Sequence, residues 1–114
     1  MPVREFDIPL PQHPALLALC QAFLLAPTIH DPAERWAGAL FMSASTFRRH
    51  FLRQTSMSFS AWRQRACVVS ALALLITGRP VHEVALSLGY DNGSSFATMF
   101  RRVTGQPTSY YHPA

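Results

Sequence analysis

Two copies of one short pattern constrain the fold of this chain more than any other feature of its sequence. The first copy covers residues 36–40, breaks, and continues over residues 43–55 with two phenylalanines four residues apart. The second copy covers residues 84–88, breaks at a glycine, and continues over residues 93–104 with the same pair of phenylalanines. A short helix, a tight turn and a second helix that carries arginines form a helix-turn-helix. The sequence therefore predicts two such units in one chain.

Ala37 and Ala85 lie where the two helices of each unit are predicted to cross, because a larger side chain there would push the helices apart. Gly89 follows Ala85 by four residues, in the turn, where a positive φ angle favours glycine. Phe41 holds the same place in the first copy, so we expect the first turn to be built differently. The first phenylalanine follows the alanine by ten residues in one copy and eleven in the other, which predicts one extra residue in the second turn.

Helix start and stop signals predict an all-α, homeodomain-like fold of about seven helices, in which a long linker helix bridges the two units. Pro14 can open the first helix, and Pro27 ends it. Asp31 is expected to cap a second helix of about 32–40, with Pro32 in its first turn. The later helices are predicted at about 44–54, from Ser58 or Ser60 to about 77, at about 81–88, at about 94–103 and after Pro107. No alternating apolar run is long enough to predict a strand.

The long helix is predicted to set the distance between the two units. Its ~19 residues would span roughly 28 Å, close to the ~34 Å of one turn of B-DNA, so it could hold two helices in successive major grooves. The predicted boundaries are 31–56 for the first unit, 58–78 for the linker helix and 80–105 for the second unit. The linker helix is expected to bury Trp62, Ala66, Val69, Leu72, Ala73 and Ile76.

Aromatic residues recur at the spacing of a helical core. A platform that stacks single-stranded bases would instead need aromatic residues on an exposed basic surface. We therefore expect the following aromatic residues in the core: Trp36, Phe47, Phe51, Phe59, Trp62, Phe96, Phe100 and Tyr110.

No motif in the sequence predicts catalysis, a metal or a cofactor. Cys20 and Cys67 stand alone, without a histidine at metal-ligand spacing, so we expect both to be small buried hydrophobic residues. The five histidines are scattered and none pairs with a carboxylate at a catalytic spacing. The sequence contains no nucleophile elbow, glycine-rich phosphate loop or H-E-x-x-H motif. The chain is therefore predicted not to be an enzyme.

The first 13 residues are rich in proline and lack helical spacing, so we interpret them as a linker-like tail before one domain of residues 14–114. A signal peptide needs a basic start and an apolar stretch, whereas positions 5 and 7 here are acidic. The longest apolar run, residues 66–76, is shorter than the ~18–20 residues of a membrane span. We therefore expect a cytoplasmic protein without a membrane partner.

The distribution of charge indicates an anionic partner. All ten residues counted as lysine or arginine are arginine, and the net charge is +4. Residues 35–82 contain seven of these arginines and no carboxylate. The planar fork of arginine donates two parallel hydrogen bonds, which suits phosphate and guanine. A GC-rich genome would also favour arginine over lysine, but it would not remove carboxylates from so long a stretch.

Residues 84–102 (VALSLGYDNGSSFATMFRR), then Gly105-Gln106-Pro107 and Tyr110, resemble the signature of the AraC/XylS family of bacterial transcription regulators. Residues 42–51, 58–59 and 62–64 extend the resemblance, which covers about residues 31–112. It implies two helix-turn-helix units, bridged by a long helix, that bind promoter DNA on the bacterial nucleoid, usually to activate transcription. The sequence departs from the family at Cys67-Val68, where Arg-Leu is common, at Ser56, where glycine is usual, and at Thr108, where serine is usual.

The resemblance also implies partners and a domain that precedes this one. Most members of the family carry an N-terminal sensing or dimerisation domain, so the chain is either an excised domain or a natural single-domain member. The linker-like residues 10–14 favour an excised domain. RNA polymerase is a second partner that the resemblance implies. The alternative function is a helical protein-interaction module, docking for example on RNA polymerase, with only non-specific affinity for DNA.

Positions that face the groove in the family coincide with the exposed stripes predicted for the second helix of each unit. The candidates for contact with base edges are Ser45, Arg48, Arg49, Gly93, Ser94, Ala97 and Thr98. The candidates for contact with phosphate are Ser43, Thr46, Arg53, Asn92, Arg101 and Arg102. Arginine reads guanine strongly, whereas small residues and hydroxyls make weak contacts, so the first unit is predicted to carry most of the specificity. The alternative for the arginines is a solvated basic face that touches only phosphate.

Overall fold

The structure is a computed structural model that describes residues 7–113, and in these residues it contains six α-helices, one 3-10 turn and no strand. The all-α prediction is therefore confirmed, with close to the expected number of helices. The helices are α1 (Pro14–Leu25), α2 (Ala33–Ala39), α3 (Ala44–Thr55), α4 (Phe59–Ile76), α5 (Val81–Ser87) and α6 (Gly93–Thr104), followed by the 3-10 turn Thr108–Tyr110.

Side-chain caps begin the three helices that matter most for the two units. Ser43, Ser58 and Asn92 each accept a hydrogen bond from the amide of the third helical residue, at 3.2, 3.1 and 2.9 Å. Each cap satisfies an amide that has no partner inside its helix. The starts of α3, α4 and α6 are thus fixed by local sequence, which is why their predicted boundaries agree with the structure to within two residues.

The prediction that Asp31 caps α2 is wrong, because better donors take its carboxylate. Arg35 donates two hydrogen bonds of 2.6 Å to this carboxylate, and the indole nitrogen of Trp36 donates a third at 2.8 Å. The Arg35 hydrogen bonds hold the pKa of Asp31 below its usual value, although burial acts in the opposite direction. Because the folded pKa is lowered, this contribution to stability is present above about pH 4 and is lost as the pH falls through the folded value.

The turns of the two units have the same hydrogen bonds, although only one contains glycine. The amide of Met42 donates to the carbonyl of Ala37 at 2.9 Å, and the amide of Tyr90 donates to the carbonyl of Ala85 at 3.1 Å. These are the closing bonds of a Schellman motif, which requires a left-handed residue between them. Ser43, the cap of α3, lies six residues after Ala37, whereas Asn92, the cap of α6, lies seven residues after Ala85. The extra residue predicted in the second turn is therefore present.

Phe41 is the left-handed residue of the first turn, with a φ angle of 58°, and Gly89 is that of the second, with 90°. The prediction that the first turn is built differently is therefore wrong. Packing of the crossing helices imposes the turn, and the Phe41 side chain, which is 98% exposed, avoids any clash by pointing into solvent. The first unit thus accepts backbone strain that glycine would relieve.

The threonines that end the two copies form a second repeated motif. The hydroxyls of Thr55 and Thr104 each donate to the carbonyl four residues before, at 2.9 Å in both copies. Each hydroxyl also accepts from the amide two residues ahead, at 3.2 and 3.1 Å. The residue that follows each threonine is left-handed, with φ angles of 62° at Ser56 and 78° at Gly105. Ser56 therefore holds a conformation that favours the glycine usual in the family.

Replacing Ser56 or Phe41 by glycine is expected to raise the free energy of unfolding by about 1 kcal/mol each, because the left-handed strain disappears. A change of this size should raise the melting temperature by about 4–8 °C in a domain of this length. Thermal unfolding followed by circular dichroism measures the shift. Ser60→Gly is the control, since Ser60 is exposed but helical, and it should lower stability. A loss of stability in Ser56→Gly equal to that of the control would contradict the assignment of strain.

The core consists of two hydrophobic clusters, one for each unit. The N-terminal cluster joins α1, α2 and α3 to the first part of α4, and its buried residues are Leu16, Cys20, Phe23, Ala33, Trp36, Ala37, Phe47, Phe51, Phe59, Trp62 and Ala66. The C-terminal cluster joins the rest of α4 to α5 and α6, and its buried residues are Cys67, Val68, Ala71, Leu72, Leu75, Val84, Ala85, Leu88, Phe96, Met99, Phe100 and Tyr111. The two clusters share no buried residue, so α4 is the helix common to both.

Helix α4 buries opposite faces in the two clusters. At 100° per residue, its residues in the N-terminal cluster and those in the C-terminal cluster point roughly 180° apart. Trp62, Ala66 and Leu72 are buried as predicted. The rest of the predicted stripe is wrong, because Val69 is half-buried and Ala73 and Ile76 are exposed. This helix is also long and apolar enough, by length and composition alone, to cross a membrane. Packing in two cores accounts for its apolar character.

At the C-terminal end of the described chain, Tyr111 rather than Tyr110 belongs to the core. Tyr110 is 60% exposed, which contradicts its predicted burial. The ring of Tyr111 packs edge-on against Phe100, with centroids 5.6 Å apart. The short 3-10 turn that precedes Tyr111 rotates the chain so that Tyr110 lies over the outside of Tyr111 instead.

Residues 7–13, the described part of the segment interpreted as a tail, pack against the first unit. The indole nitrogen of Trp62 donates to the carbonyl of Pro9 at 2.8 Å. The side-chain oxygen of Gln54 accepts from the amides of Gln12 and His13, at 3.0 Å each. These bonds fix the chain across α3 and α4 and bring it to the start of α1.

Candidate nucleic-acid interface

Helix α3 presents one polar face and buries the other. Its residues in the N-terminal cluster or beside it are Phe47, His50, Phe51 and Thr55. Its exposed residues on the opposite face are Ser45, Arg48, Arg49, Leu52 and Arg53. The exposed face carries three arginines and no carboxylate, so it offers a concentrated positive charge on a helix of groove-fitting width.

The arginines of this face are only weakly held in the free protein. A terminal nitrogen of Arg48 lies 3.8 Å from a carboxylate oxygen of Glu34, but both side chains are more than half exposed. Exposed ion pairs of this kind contribute little to stability, so Arg48 can exchange Glu34 for another acceptor. Arg49 donates to the hydroxyl of Thr46 at 3.3 Å, which directs its guanidinium toward the start of the helix.

The start of α3 holds the two hydroxyl residues that the sequence assigned to phosphate. The hydroxyl of Ser43 caps the helix and donates to the hydroxyl of Thr46 at 3.0 Å. Both residues are exposed, and the first turn contains no acid. Because the amide end of a helix attracts anions, this end can receive a phosphate without an opposing charge.

Helix α6 also has one exposed and one buried face, but the first turns of its exposed face carry small and hydroxyl side chains instead of arginines. Ser94, Thr98, Arg101 and Arg102 are exposed, whereas Phe96, Met99 and Phe100 are buried. The Thr98 hydroxyl donates to the carbonyl of Ser94 at 3.0 Å, so within the free protein it retains mainly acceptor capacity. Its arginines lie in the last turn, away from the N-terminal end of α6.

Three further candidates of the second unit are less accessible or already engaged. Gly93 and Ala97 are half-buried, so only their outer surfaces can meet a ligand. The side-chain oxygen of Asn92 accepts the capping hydrogen bond, which leaves its amide nitrogen for an external acceptor. The exposed face of α6 therefore supplies small residues and hydroxyls in its first turns and positive charge in its last.

Two concave surfaces adjoin α6 and α3, and the sequence did not assign a role to two of the residues that line them. One concavity of about 460 Å³ runs between α4 and α6, and Gln64 and Thr98 line it. The other, of about 430 Å³, runs between α4 and the first unit, and Arg48 and Arg63 line it. Ile29, from the loop before α2, lines both concavities. Arg63 and Gln64 belong to a segment that resembles the family, but helical spacing alone did not predict a role for either residue.

Three buried titratable side chains, Cys20, Cys67 and His50, line neither concavity. Burial raises the pKa of the Cys20 and Cys67 thiols to about 12, and both cysteines are fully buried, as the sequence predicted. Burial, with His13 and Arg53 nearby, lowers the pKa of His50, whose ring packs edge-on against His13. These side chains are therefore neutral packing groups at neutral pH.

Comparison with known proteins identifies the kind of domain that these helices form. Residues 36–112 match the sequence model of a family described as a helix-turn-helix domain. The transcriptional regulator NimR of Escherichia coli K12 is 32% identical over 110 residues, which are 96% of this chain and 40% of that protein. The transcriptional regulator RipA of Corynebacterium glutamicum is 36% identical over 105 residues, which are 90% of this chain and 31% of that protein. The chain thus spans less than half of the length of each of these relatives.

Solved structures of domains from other regulatory proteins superpose on this chain. The DNA-binding domain of AdpA, a global transcriptional factor crystallised with a target DNA, superposes with a TM-score of 0.77 and 28% identity. The superposition covers 85% of this chain and 88% of that domain. The C-terminal domain of AraT, a response regulator from Geobacillus stearothermophilus, superposes with a TM-score of 0.73 and 25% identity over 80% of this chain and 77% of that domain.

Proposed function

The chain belongs to the AraC/XylS family of helix-turn-helix transcription regulators, and on this basis we propose that it binds duplex promoter DNA and reads its sequence through two successive major grooves. One observation carries the proposal: both units repeat the same turn geometry and each presents an exposed, carboxylate-free helix face. A face of this kind fits the width and the negative charge of a major groove.

The linker helix supports the two-groove part of the proposal. Helix α4 has 18 residues and is therefore about 27 Å long, against about 34 Å for one helical turn of the duplex. The two units pack on opposite faces of this helix. The longest dimension of the described domain is 46 Å, enough to follow one face of a duplex across two grooves.

The chemistry of the two faces supports a division of labour. In our proposal Ser45, Arg48 and Arg49 read base edges and carry most of the specificity, because arginine forms paired hydrogen bonds with guanine. Gly93, Ser94, Ala97 and Thr98 allow close approach in the second groove and discriminate weakly. The phosphate contacts come from Ser43, Thr46, Arg53, Asn92, Arg101 and Arg102, which fix the register on the duplex.

We extend the proposal to activation of transcription, the usual mode of the family, with RNA polymerase as a second partner. The chain matches only 40% and 31% of the length of its two relatives described above, so regulation by the whole protein rests on family membership. A promoter fusion in bacteria tests this part separately from DNA binding. Expression of the reporter should rise with the intact operator and should not change with a scrambled one.

Binding of the selected duplex should weaken steeply as salt rises, because each phosphate contact releases counterions. Contact with six phosphates predicts a slope of about −5 for log affinity against log salt, and a loss of about a thousandfold between 50 and 200 mM. A duplex is first selected from a random pool, and fluorescence anisotropy then measures its affinity across that range. A scrambled duplex of equal length is the control. Equal affinity for both duplexes, or affinity that ignores salt, would favour the protein-interaction module instead.

A further inference from the structure

The loop between α1 and α2 connects the two units directly. The amide of Ile29 donates to the carbonyl of Leu88, in the turn of the second unit, at 2.9 Å. The Ile29 side chain packs against the C-terminal cluster, although the loop leads into the first unit. We call residues 28–31 the strap. It provides a connection between the units in addition to α4.

Asp31 fastens the other end of the strap to the first unit and to the linker helix. Its carboxylate accepts from the indole nitrogen of Trp36, inside the N-terminal cluster. Its backbone carbonyl accepts from a terminal nitrogen of Arg63, on α4, at 2.7 Å. The guanidinium of Arg63 lies 5.5 Å from the centre of the Phe59 ring, which holds it in place beneath the strap.

The turn of the second unit approaches the strap so closely that a side chain at Gly89 would displace the side chains of the strap. A Cβ atom on Gly89 would lie 2.5 Å from the hydroxyl oxygen of Thr28 and 3.0 Å from the ring of His30. Gly105 provides a comparison, because it is also left-handed, yet a Cβ atom there would meet nothing within 4 Å. The contact at Gly89 therefore belongs to the strap and is separate from the backbone requirement of the turn.

We propose that the strap fixes the angle and the separation between α3 and α6, and so determines how many base pairs may separate the two half-sites. Apart from the strap, α4 is the helix that packs in both clusters, and a single helix can bend and twist. A second connection restricts the motion of one unit relative to the other. The two helices are then preorganised for one DNA geometry. Ile29, Asp31, Arg63 and Gly89 are positioning residues in this proposal, which rests on the proposed reading of two grooves.

The test compares two strap variants with two matched controls. Arg63→Gln removes the bond to Asp31, and Arg65→Gln makes the same charge change on another side of α4, where Arg65 contacts the carbonyl of Asp7. Gly89→Ala introduces strain and the clash with Thr28, whereas Gly105→Ala introduces the strain alone. Thermal unfolding first establishes that each variant is folded. Arg63→Gln keeps the test available should Gly89→Ala not fold.

The DNA measurement uses duplexes with one half-site, or with both half-sites at the selected spacing and with one base pair inserted. One inserted base pair rotates the half-sites by roughly 35°, so the wild type and both controls should lose about tenfold in affinity. The strap variants should lose about threefold or less, because a looser domain adapts to the new spacing. Each affinity for two half-sites is divided by the affinity of the same variant for one half-site, so that loss of a direct contact between Arg63 and the duplex cancels.

A distance measurement without DNA separates failure of this proposal from failure of the proposed function. Nitroxide labels on Ser45→Cys and Ser94→Cys report the separation of α3 and α6 by electron resonance, and the buried Cys20 and Cys67 are shielded from labelling. The distribution should be narrow in the wild type and in both controls and broader in the strap variants. Equal distributions in strap variants and controls would overturn the role of the strap. A narrow wild-type distribution without any spacing preference on DNA would instead overturn the reading of two grooves.

Discussion

The double substitution Arg48→Ala/Arg49→Ala is expected to remove most of the preference of this domain for its selected duplex. Each arginine that pairs with a guanine contributes about 1–3 kcal/mol of discrimination, so loss of both should lower the ratio of selected to scrambled affinity by about thirtyfold or more. Competition binding with the two duplexes measures this ratio. The loss should be confined to the half-site under the first unit, which duplexes with one half-site scrambled at a time will show.

Arg53→Ala/Arg101→Ala is the matched control for this prediction. It removes the same charge, but from residues assigned to phosphate, so both duplexes should lose affinity equally and the salt slope should fall by about two. Ser94→Ala and Thr98→Ala should change the preference less than either arginine does. If Ser94→Ala alone abolished the preference, specificity would have to be reassigned to α6. If the two double variants behaved alike, the exposed face of α3 would be a solvated basic surface that touches phosphate only.

Arg48 and Arg49 have different contacts in the protein without DNA. Arg48 has to leave Glu34, which lies 3.8 Å away, while Arg49 already points along the helix through its bond to Thr46. The exposed pair with Glu34 costs little to break. We therefore expect the single variants to weaken discrimination to a similar degree.

The exposed faces of α3 and α6 could be predicted because helical periodicity decides them. A buried phenylalanine every four residues fixes which side of each helix faces the core, and the intervening residues must then face solvent. Caps at Ser43, Ser58 and Asn92 are equally local, since a side chain there bonds an amide three residues ahead. Short-range geometry thus determines the exposed faces and the boundaries of their helices, whereas the roles assigned to the exposed residues also follow from the family resemblance.

The errors arise where tertiary contacts override local preference. Phe41 adopts a left-handed conformation that its residue type disfavours, because the two crossing helices of the unit require that turn. Asp31 prefers a guanidinium and an indole to the helix end next to it. Ile76 lies exposed because α4 changes the face it buries halfway along, whereas a periodic pattern assumes one buried stripe for a whole helix.

The strap could not be predicted from local sequence patterns. Its key contact joins Ile29 to Leu88, residues far apart in the chain, and a loop has no period from which a buried position could be recognised. Gly89 gave a partial indication of the strap, because a glycine in a turn can mark either a left-handed residue or a close approach of another segment. Only the structure shows that here it indicates both.

Trp36→Ala is expected to unfold the first unit while the second remains folded. Trp36 is fully buried, and its ring lies within 6.3 Å of five other aromatic rings of the N-terminal cluster. Truncating it should cost about 3–5 kcal/mol, and it also leaves the buried Asp31 carboxylate without its indole donor. Domains have only about 5–15 kcal/mol of total stability, so little would hold α2 and α3 in place.

Hydrogen exchange at individual amides distinguishes local from global unfolding in this variant. Because the C-terminal cluster shares no buried residue with the N-terminal one, α3 amides should lose protection while α6 amides keep theirs. Phe100→Ala is the mirror control and should expose α6 before α3, whereas Tyr110→Ala should affect neither, since that side chain is 60% exposed. Simultaneous loss of protection in both helices would mean that α4 transmits unfolding between the clusters. The two units would then fold as one cooperative body, and each recognition helix would depend on the integrity of both cores.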